Sequence, residues 1–268
     1  MYGISYGKTG EKKAFYFVPF QRSMIADHVN QKEVVLAVPD HFTALEKVKW
    51  KQKAELSGYQ VLNCLAESEA AVLYHSTQHP KPNRAYHIRV IQIGESGTNI
   101  SNVLCSKDKI QTQYTKRIGV GGAVLTDKVA GLIRLKLQGL LKYVDSKSIQ
   151  EKAERLKVRM GSNNKLRDEI EFRGNLIKIS RREFDSCCAE WFLRLLMELD
   201  YFDLDCQKKG IPKAEATIIC GGGGECGYIY QKLKKKYEGT FVTNYKATEA
   251  CVLGAAIYAK QLCERRKV

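Results

Sequence analysis

The four consecutive glycines at positions 221–224 lie between two segments with different patterns. The residues before them, 216–220, are apolar or β-branched, which predicts a buried strand. Residues 228–237 place apolar side chains three or four positions apart with lysines between them, which predicts an amphipathic helix. Such a glycine loop lets backbone N–H groups approach an anion and is typical of a phosphate site. A tight turn that binds no ligand has the same pattern, so both interpretations stay open here.

The glycine run also matches a dinucleotide-binding fingerprint in its letters. Residues 222–227 read G-x-G-x-x-G. A dinucleotide fold needs, in addition, an acidic residue about 20 positions later to hydrogen-bond the ribose. Thr243, Asn244 and Tyr245 stand at that place. The sequence therefore predicts no dinucleotide site.

Length and composition limit the class of protein. The chain has 268 residues, of which 44% are hydrophobic, as expected for one large or two modest globular domains. No apolar run is long enough to cross a membrane, and residues 1–8 lack the apolar core of a secretion signal. We therefore expect a cytoplasmic location and no membrane partner. The nine cysteines include no Cys-x-x-Cys pair, which favours reduced thiols over a zinc site or a disulfide framework.

The net charge of +15 raises the question of nucleic-acid binding. The lysines and arginines are spread along the chain, with small clusters at 234–236 and 265–267. Aromatic residues do not interleave with them, as they would on a surface that binds single strands. The charge pattern favours solvated surface, and no nucleic-acid partner is expected.

Apolar periodicity along the chain predicts an α/β protein in which strands and helices alternate. Strands are predicted at 34–38, 61–62, 86–93, 100–105 and 216–220, with two more before residue 182. Helices are predicted at 45–56, 67–74, 122–143, 148–160, 182–199, 228–237 and 249–262. The strands at 86–93 and 100–105 form a hairpin with a glycine-rich turn at 94–98, and residues 77–84 resemble a linker.

A series of short blocks follows in a fixed order along the chain. The first four blocks read V-V-L-A-V-P-D-H-F from Val34, A-E-L-S-G-Y-Q-V-L from Ala54, E-S-E-A-A from Glu67 and Q-I-G-E-S-G-T from Gln92. The later ones read G-G from Gly121, A-E-R-L-K from Ala153, I-I-C-G-G from Ile218, E-A from Glu249 and G-A-A from Gly254. Their order and spacing resemble the ATPase domain of the 70-kilodalton heat-shock chaperone (DnaK-type) family, over about residues 6–262.

This resemblance implies an actin-like (ribonuclease H-like) ATPase fold, in which ATP or ADP and Mg²⁺ lie in a cleft between two lobes. It implies that a glycine hairpin from each lobe holds the phosphates. The helix with Glu154 and Lys157 and the loop at 221–225 would enclose adenosine. The residues expected to contact nucleotide are Gly94, Gly97, Thr98, Gly122, Glu154, Lys157, Gly221, Gly222 and Gly223.

The resemblance also implies a domain division. Residues 1–83 correspond to a remnant of the first lobe and 84–268 to the second lobe. Within the second lobe, 84–121 and 205–262 form the core sheet, and about 122–204 form an inserted upper subdomain. The first phosphate hairpin and the peptide-binding domain have no expected counterpart here. A true deletion and an incomplete gene model both stay open as the reason.

Several positions depart from the family pattern. Gln92 stands where the second phosphate hairpin has an aspartate, and an amide neither holds the magnesium shell as well nor accepts a proton. Glu95 adds a negative charge to that hairpin. Glu225, Val158 and Gly161 replace two arginines and a serine around adenosine.

The retained Glu67 and the arginine-to-lysine change at Lys47 are the weak catalytic candidates, and Glu67 is also a candidate to reach the metal through water. A missing proton acceptor lowers a rate by about 10² to 10⁴, so we expect little or no hydrolysis. Two hypotheses follow. The chain binds ATP or ADP with weak or absent turnover, or it is a non-enzymatic module that binds co-chaperones or exchange factors.

Overall fold

A computed structural model describes residues 33–79, 84–107, 109–137, 144–162 and 166–265. The strands are β1 (Glu33–Val38), β2 (Gln60–Ala66), β3 (Tyr86–Ile93), β4 (Thr98–Cys105), β5 (Ile110–Ile118), β6 (Arg167–Phe172), β7 (Asn175–Ser180), β8 (Ala216–Cys220) and β9 (Phe241–Thr243). The helices are α1 (Ala44–Leu56), α2 (Glu67–Gln78), α3 (Gly122–Leu137), α4 (Ser146–Ser162), α5 (Arg181–Lys208), α6 (Gly227–Lys236) and α7 (Ala250–Arg265). The predictions for residues 1–32, and for a helix over 138–143, lie outside the described residues.

The largest sheet has five strands in the order β5-β4-β3-β8-β9. β3, β4 and β5 pair antiparallel, whereas β8 lies parallel to β3 and β9 lies parallel to β8. These pairings confirm the predicted hairpin and the strand before the glycines. β5 is not predicted from the sequence, because its isoleucines, Ile110 and Ile118, lie at its two ends. Residues 86–118 therefore form three consecutive strands, where the sequence predicts a two-stranded hairpin.

The two faces of this sheet contact different helices. Ile91 and Ile93 of β3 lie in a core shared with α3, α4, α5 and α6. Val90 lies in a second core, shared with α2 and α7. Because side chains alternate along a strand, Gln92 belongs to the same face as Val90. This places its amide beside Glu67, the first residue of α2.

α7 packs closely against α2. Gly254 of α7 has no room for a side chain, because a Cβ there would lie 1.8 Å from the carbonyl oxygen of Ala70. On its other side α7 packs against β1, where Ala255 and Ala259 lie in a small apolar cluster with Val35. The small residues of α7 therefore allow one helix to contact both α2 and β1.

β1 and β2 form a separate two-stranded parallel sheet. α1 makes the crossover that such a parallel pair requires. It begins with a capping box, in which the side chains of Thr43 and Glu46 each accept a hydrogen bond from the other residue's backbone N–H. Ala54 of α1 packs against Val34 and Leu36 of β1 in a small core. The strand predicted at 34–38 and the helix predicted at 45–56 are confirmed.

Two helices are longer than the sequence pattern predicts. α2 continues to Gln78, so the predicted linker at 77–84 begins inside a helix. α5 spans 28 residues rather than 182–199, because Phe202 and Cys206 continue its buried stripe at helical spacing. Among the described residues, none of the helices is both long and apolar enough to cross a bilayer. All nine cysteines are described and are free thiols, four of them buried and five half-buried.

The predicted domain division stays a prediction. The five-stranded sheet draws its strands from 86–118 and 216–243, on either side of the segment that contains α3, α4, the β6–β7 hairpin and α5. That arrangement positions the turn after β3, the start of α3 and the turn after β8 at one edge of the sheet. The candidate site lies at this edge.

Candidate functional site

A cavity of about 880 Å³ opens between the start of α3, one side of α4 and the turn after β8. Its volume is in the range of small-molecule sites. Six of the nine residues predicted to contact nucleotide line it: Gly94, Gly122, Glu154, Lys157, Gly222 and Gly223. Four positions that depart from the family pattern also line it: Glu95, Val158, Gly161 and Glu225.

The glycine run forms a 3₁₀ turn over Gly222–Glu225. Gly221 has φ 80°, and a Cβ there would lie 2.5 Å from the carbonyl oxygen of Ile93. A Cβ on Gly223 would lie 2.3 Å from Cγ2 of the same isoleucine. These positions therefore exclude a side chain, because the turn packs directly on the end of β3. α6 begins at Gly227, which confirms the helix predicted at 228–237.

The segment before α7 holds this turn in place. The backbone N–H of Gly221 donates to the carbonyl of Ala247 at 2.9 Å. Asn244 donates from its side chain to the carbonyl of Gly224 at 2.8 Å. Glu225 accepts a hydrogen bond from the Thr248 hydroxyl at 2.6 Å. These bonds orient the Glu225 carboxylate, which stands at the position of the family's arginine.

The β3–β4 turn is attached to the start of α3 by backbone hydrogen bonds. The N–H groups of Gly122 and Ala123 donate to the carbonyls of Gly94 and Glu95, both at 2.8 Å. The indole of Trp191 donates to the carbonyl of Gly121 at 3.0 Å. Two N–H groups from the first turn of α3 are thus engaged by the β3–β4 turn rather than available to an anion.

Gly97 and Thr98 have packing roles in this turn. A Cβ on Gly97 would lie 2.5 Å from the carbonyl oxygen of Ile118. Thr98 is fully buried, and its hydroxyl donates to the carbonyl of Val120 at 2.5 Å. Neither residue lines the cavity. Their contact with nucleotide stays a prediction.

Lys157 of α4 lies in the cavity wall and connects α4 to the first turn of α3. Its ammonium donates to Glu154 Oε2 at 2.6 Å, to Thr126 Oγ1 at 2.9 Å and to the carbonyl of Gly122 at 3.2 Å. Thr126 also donates to Glu154, at 2.5 Å. The lysine side chain is only 17% exposed. Its ammonium is therefore preorganised beside the cavity as a donor for phosphate or ribose oxygens.

A group of polar side chains, Asp40, Glu67, Gln92, Asn99 and Arg117, lies beyond the β3–β4 turn; we call it the polar cluster. Gln92 donates to Glu67 Oε2 at 2.7 Å, and Asn99 donates to Gln92 Oε1 at 3.2 Å. Burial raises the pKa of Glu67 to about 7, and the nearby charge of Asp40 adds to this rise, while the hydrogen bond from Gln92 and the charge of Arg117 oppose it. Near neutral pH this carboxyl is partly protonated.

Asp40 is enclosed by donors from the chain. The backbone N–H of Ser68 donates to it at 3.2 Å, and the hydroxyls of Ser68 and Ser101 donate to its Oδ1. Burial raises the pKa of Asp40, and these hydrogen bonds oppose the rise. Asp40 has no predicted role, although an aspartate directly after a buried strand and Pro39 is a usable signal.

Arg117 at the end of β5 places its guanidinium against the β3–β4 turn. It donates to the Ser96 hydroxyl at 2.9 Å and to the side-chain oxygen of Asn99 at 3.3 Å. Arg117 has no predicted role, because β5 is not predicted from the sequence. Lys47, the other catalytic candidate, is half-buried on α1, and neither it nor Glu67 lines the cavity.

The residues present fit a nucleotide better than they fit a magnesium ion. The cavity offers glycine backbone, an ammonium group and sufficient volume. Mg²⁺ requires carboxylate or other oxygen ligands around an octahedral water shell. Within the described ranges, no three His, Cys, Asp or Glu side chains are placed to hold a metal ion. The polar cluster holds two carboxylates, Asp40 and Glu67, but both accept hydrogen bonds from the chain, and the guanidinium of Arg117 adds a positive charge beside them.

Comparison with known proteins identifies the family. A sequence model described as Hsp70 protein matches residues 21–268. Hypoxia up-regulated protein 1 of Xenopus laevis is 26% identical over 282 residues, covering 93% of this chain and 43% of that protein. The human protein of the same name is 24% identical over 286 residues, covering 93% and 28%. Heat shock 70 kDa protein 14 of Rattus norvegicus is 23% identical over 245 residues, covering 85% and 47%.

The chain spans less than half the length of these relatives. The family match confirms the resemblance found in the sequence and implies the actin-like ATPase fold. A mixed sheet with helices on both faces is consistent with part of such a domain. The chain therefore belongs to the Hsp70 protein family.

Proposed function

We propose that this chain binds ATP or ADP in the cavity between α4 and the turn at residues 221–225, called the glycine turn below. We propose further that it hydrolyses ATP weakly or not at all. ATPase domains of the Hsp70 family bind these nucleotides. The observation that carries the proposal is the cavity of about 880 Å³, in which six residues from four separate segments lie as the family pattern requires. A tight turn that binds no ligand would not require these four segments to surround the same cavity.

Weak hydrolysis follows from the chemistry of the polar cluster. Gln92 is neutral, so it cannot accept a proton from an attacking water. Its amide is instead bound to Glu67 at 2.7 Å and to Asn99 at 3.2 Å. Loss of a proton acceptor lowers a rate by about 10² to 10⁴. We therefore expect turnover far below that of an ordinary Hsp70 ATPase domain.

Two carboxylates favour a second candidate function. Glu95 and Glu225 both line the cavity, where they repel polyphosphate. The chain would then act as an interaction module without a nucleotide, through surfaces on which Hsp70 proteins bind co-chaperones or exchange factors. This candidate predicts protein partners recovered equally well with and without nucleotide.

Isothermal titration with ATP and with ADP tests the first candidate. Inorganic tripolyphosphate is the matched control, because a chain of charge +15 attracts any polyanion. We expect saturable binding of both nucleotides, tighter than that of tripolyphosphate, because the cavity also encloses the nucleoside. An absence of heat at high micromolar nucleotide, or equal binding of tripolyphosphate, would exclude the nucleotide site and leave the interaction module.

A further inference from the structure

The polar cluster carries a positive side chain where a metal-dependent phosphate site needs negative ones. Arg117 Nη2 donates to Ser96 in the β3–β4 turn, and Nη1 donates to Asn99 on β4. The guanidinium packs so closely on the turn that a Cβ on Gly97 would lie 3.4 Å from Nη2. Ser96 is adjacent to Glu95, which lines the cavity. A cation that belongs to the chain is therefore fixed on the turn expected to face phosphate.

The carboxylates near Arg117 are already engaged by donors from the chain. Asp40 accepts hydrogen bonds from Ser68 and Ser101, and Glu67 accepts one from Gln92. Mg²⁺ binds through carboxylate oxygens and ordered water, so it would compete with these donors for the same two carboxylates. Among the described residues no metal-binding group of acids, histidines or cysteines is present. The side chains thus oppose a divalent cation at this place.

Arginine suits the role that the metal would otherwise have. A guanidinium keeps its charge at all ordinary pH values and presents five N–H donors in a planar fork that matches phosphate oxygens. The bonds to Ser96 and Asn99 use two of these donors and fix the plane of the group. The side chain is otherwise exposed, so it is accessible from solvent.

We propose that Arg117 neutralises the phosphates of the bound nucleotide in place of Mg²⁺, so that nucleotide binding by this chain does not require a divalent metal. This inference rests on the proposed function and adds the way in which the phosphates are bound. It assigns a binding role to β5, a strand with no predicted part in the site. The physical basis is a charge-assisted, fork-shaped contact between guanidinium and phosphate.

The first test compares ATP and ADP binding in excess EDTA with binding in Mg²⁺ at matched ionic strength. We expect dissociation constants within about threefold of each other, because the resident guanidinium supplies the positive charge in both conditions. The constant ionic strength is needed because screening alone changes polyanion binding.

The second test changes the arginine. Arg117→Gln should weaken ADP binding in EDTA by about tenfold or more, since a charge-assisted hydrogen bond is lost. Arg117→Lys keeps the charge but not the planar fork, so it should recover only part of the affinity. Arg167→Gln is the matched control, because Arg167 is an exposed arginine in the separate β6–β7 sheet. Thermal melts of each variant show whether the fold is preserved.

The outcomes separate this inference from the proposed function. Equal binding in EDTA and Mg²⁺, together with the loss in Arg117→Gln and none in Arg167→Gln, supports the inference. Binding that appears only with Mg²⁺, or an Arg117→Gln protein that is folded and binds normally, overturns it while the nucleotide site stands. An absence of binding in both conditions overturns both.

Discussion

The glycine turn and the polar cluster lie at the two ends of the candidate site, and they follow the family pattern to different degrees. The glycine turn keeps it, because Gly221 and Gly223 pack directly on Ile93 and leave no room for a Cβ. The polar cluster departs from it: Gln92 donates to Glu67 and accepts from the Asn99 amide, and Arg117 donates to the side-chain oxygen of Asn99. Backbone packing resists substitution, whereas a side-chain network can be exchanged as a unit.

If the proposed function holds, the comparison explains how a chain can keep its cavity while hydrolysis weakens. The cavity walls come from α3, α4 and the glycine turn, all anchored in the larger core. The polar cluster lies on the other face of β3, toward α2. Its substitutions therefore leave the packing of the cavity walls intact. Binding and hydrolysis can be lost separately for this reason.

The largest expected effect is at the glycine turn. Gly221→Ala should lower the free energy of unfolding by about 2 to 4 kcal/mol, because it combines a positive φ with a clash against backbone. Gly222→Ala is the matched control and should cost less than about 1 kcal/mol, since nothing lies within 4 Å of a Cβ there. Urea denaturation of both variants measures the difference. Equal losses would mean that the turn does not pack on β3 as described.

A smaller effect is expected in the polar cluster and depends on pH. Burial raises the pKa of Glu67 from its ordinary value of 4.5 to about 7. A carboxyl whose pKa is higher in the folded state stabilises the fold fully below pH 4.5 and loses that contribution as the pH rises through 7. The free energy of unfolding of the wild-type chain should therefore fall by about 1 to 2 kcal/mol between pH 5 and 8.5 because of this group, allowing for its partial exposure.

Glu67→Gln should remove this part of the pH dependence, because a neutral amide does not titrate and still accepts the hydrogen bond from Gln92. Glu55→Gln, an exposed change on α1, is the control and should keep the wild-type slope. Urea denaturation at several pH values compares the three proteins. A Glu67→Gln protein with an unchanged slope would show that Glu67 is not the titrating group.

The smallest effect is expected at the cavity wall, in the free energy of ADP binding. Lys157→Gln should weaken ADP binding by about tenfold, since it removes a charged donor beside the cavity. Stability should change little, because the lysine pairs with a half-exposed Glu154. Lys234→Gln, an exposed lysine on α6, is the matched control for charge alone. Equal losses in the two variants would mean that net charge, rather than the site, binds the nucleotide.

The sequence predicted the parts of the fold that follow a simple apolar pattern. The β3–β4 hairpin, β8 and α6 were predictable, because buried strands and amphipathic helices leave periodic signals. β5 was not, since the sheet stabilises a largely polar segment by backbone pairing on its edge. With β5 unknown, Arg117 had no predicted position near the β3–β4 turn.

The candidate site was predictable only in part for a related reason. The glycines and Lys157 carry motif signals, and the structure brings six of the nine predicted residues to one cavity. The role of Thr98 could not be read from its motif, because burial against Val120 depends on the packing of the turn. The hydrogen bonds of Gln92 and Asp40 also could not be predicted, because their partners, Glu67 of α2 and Ser101 of β4, are distant from them in sequence.

A single-turnover experiment with γ-labelled ATP and excess protein measures binding and hydrolysis of ATP in the same sample. Rapid filtration would measure the label retained on the protein, and separation of nucleotides after quenching would show its chemical form. We expect label to be retained on the protein as intact ATP over many times the turnover period of an ordinary ATPase. Release of labelled phosphate with formation of ADP within that period would contradict this expectation.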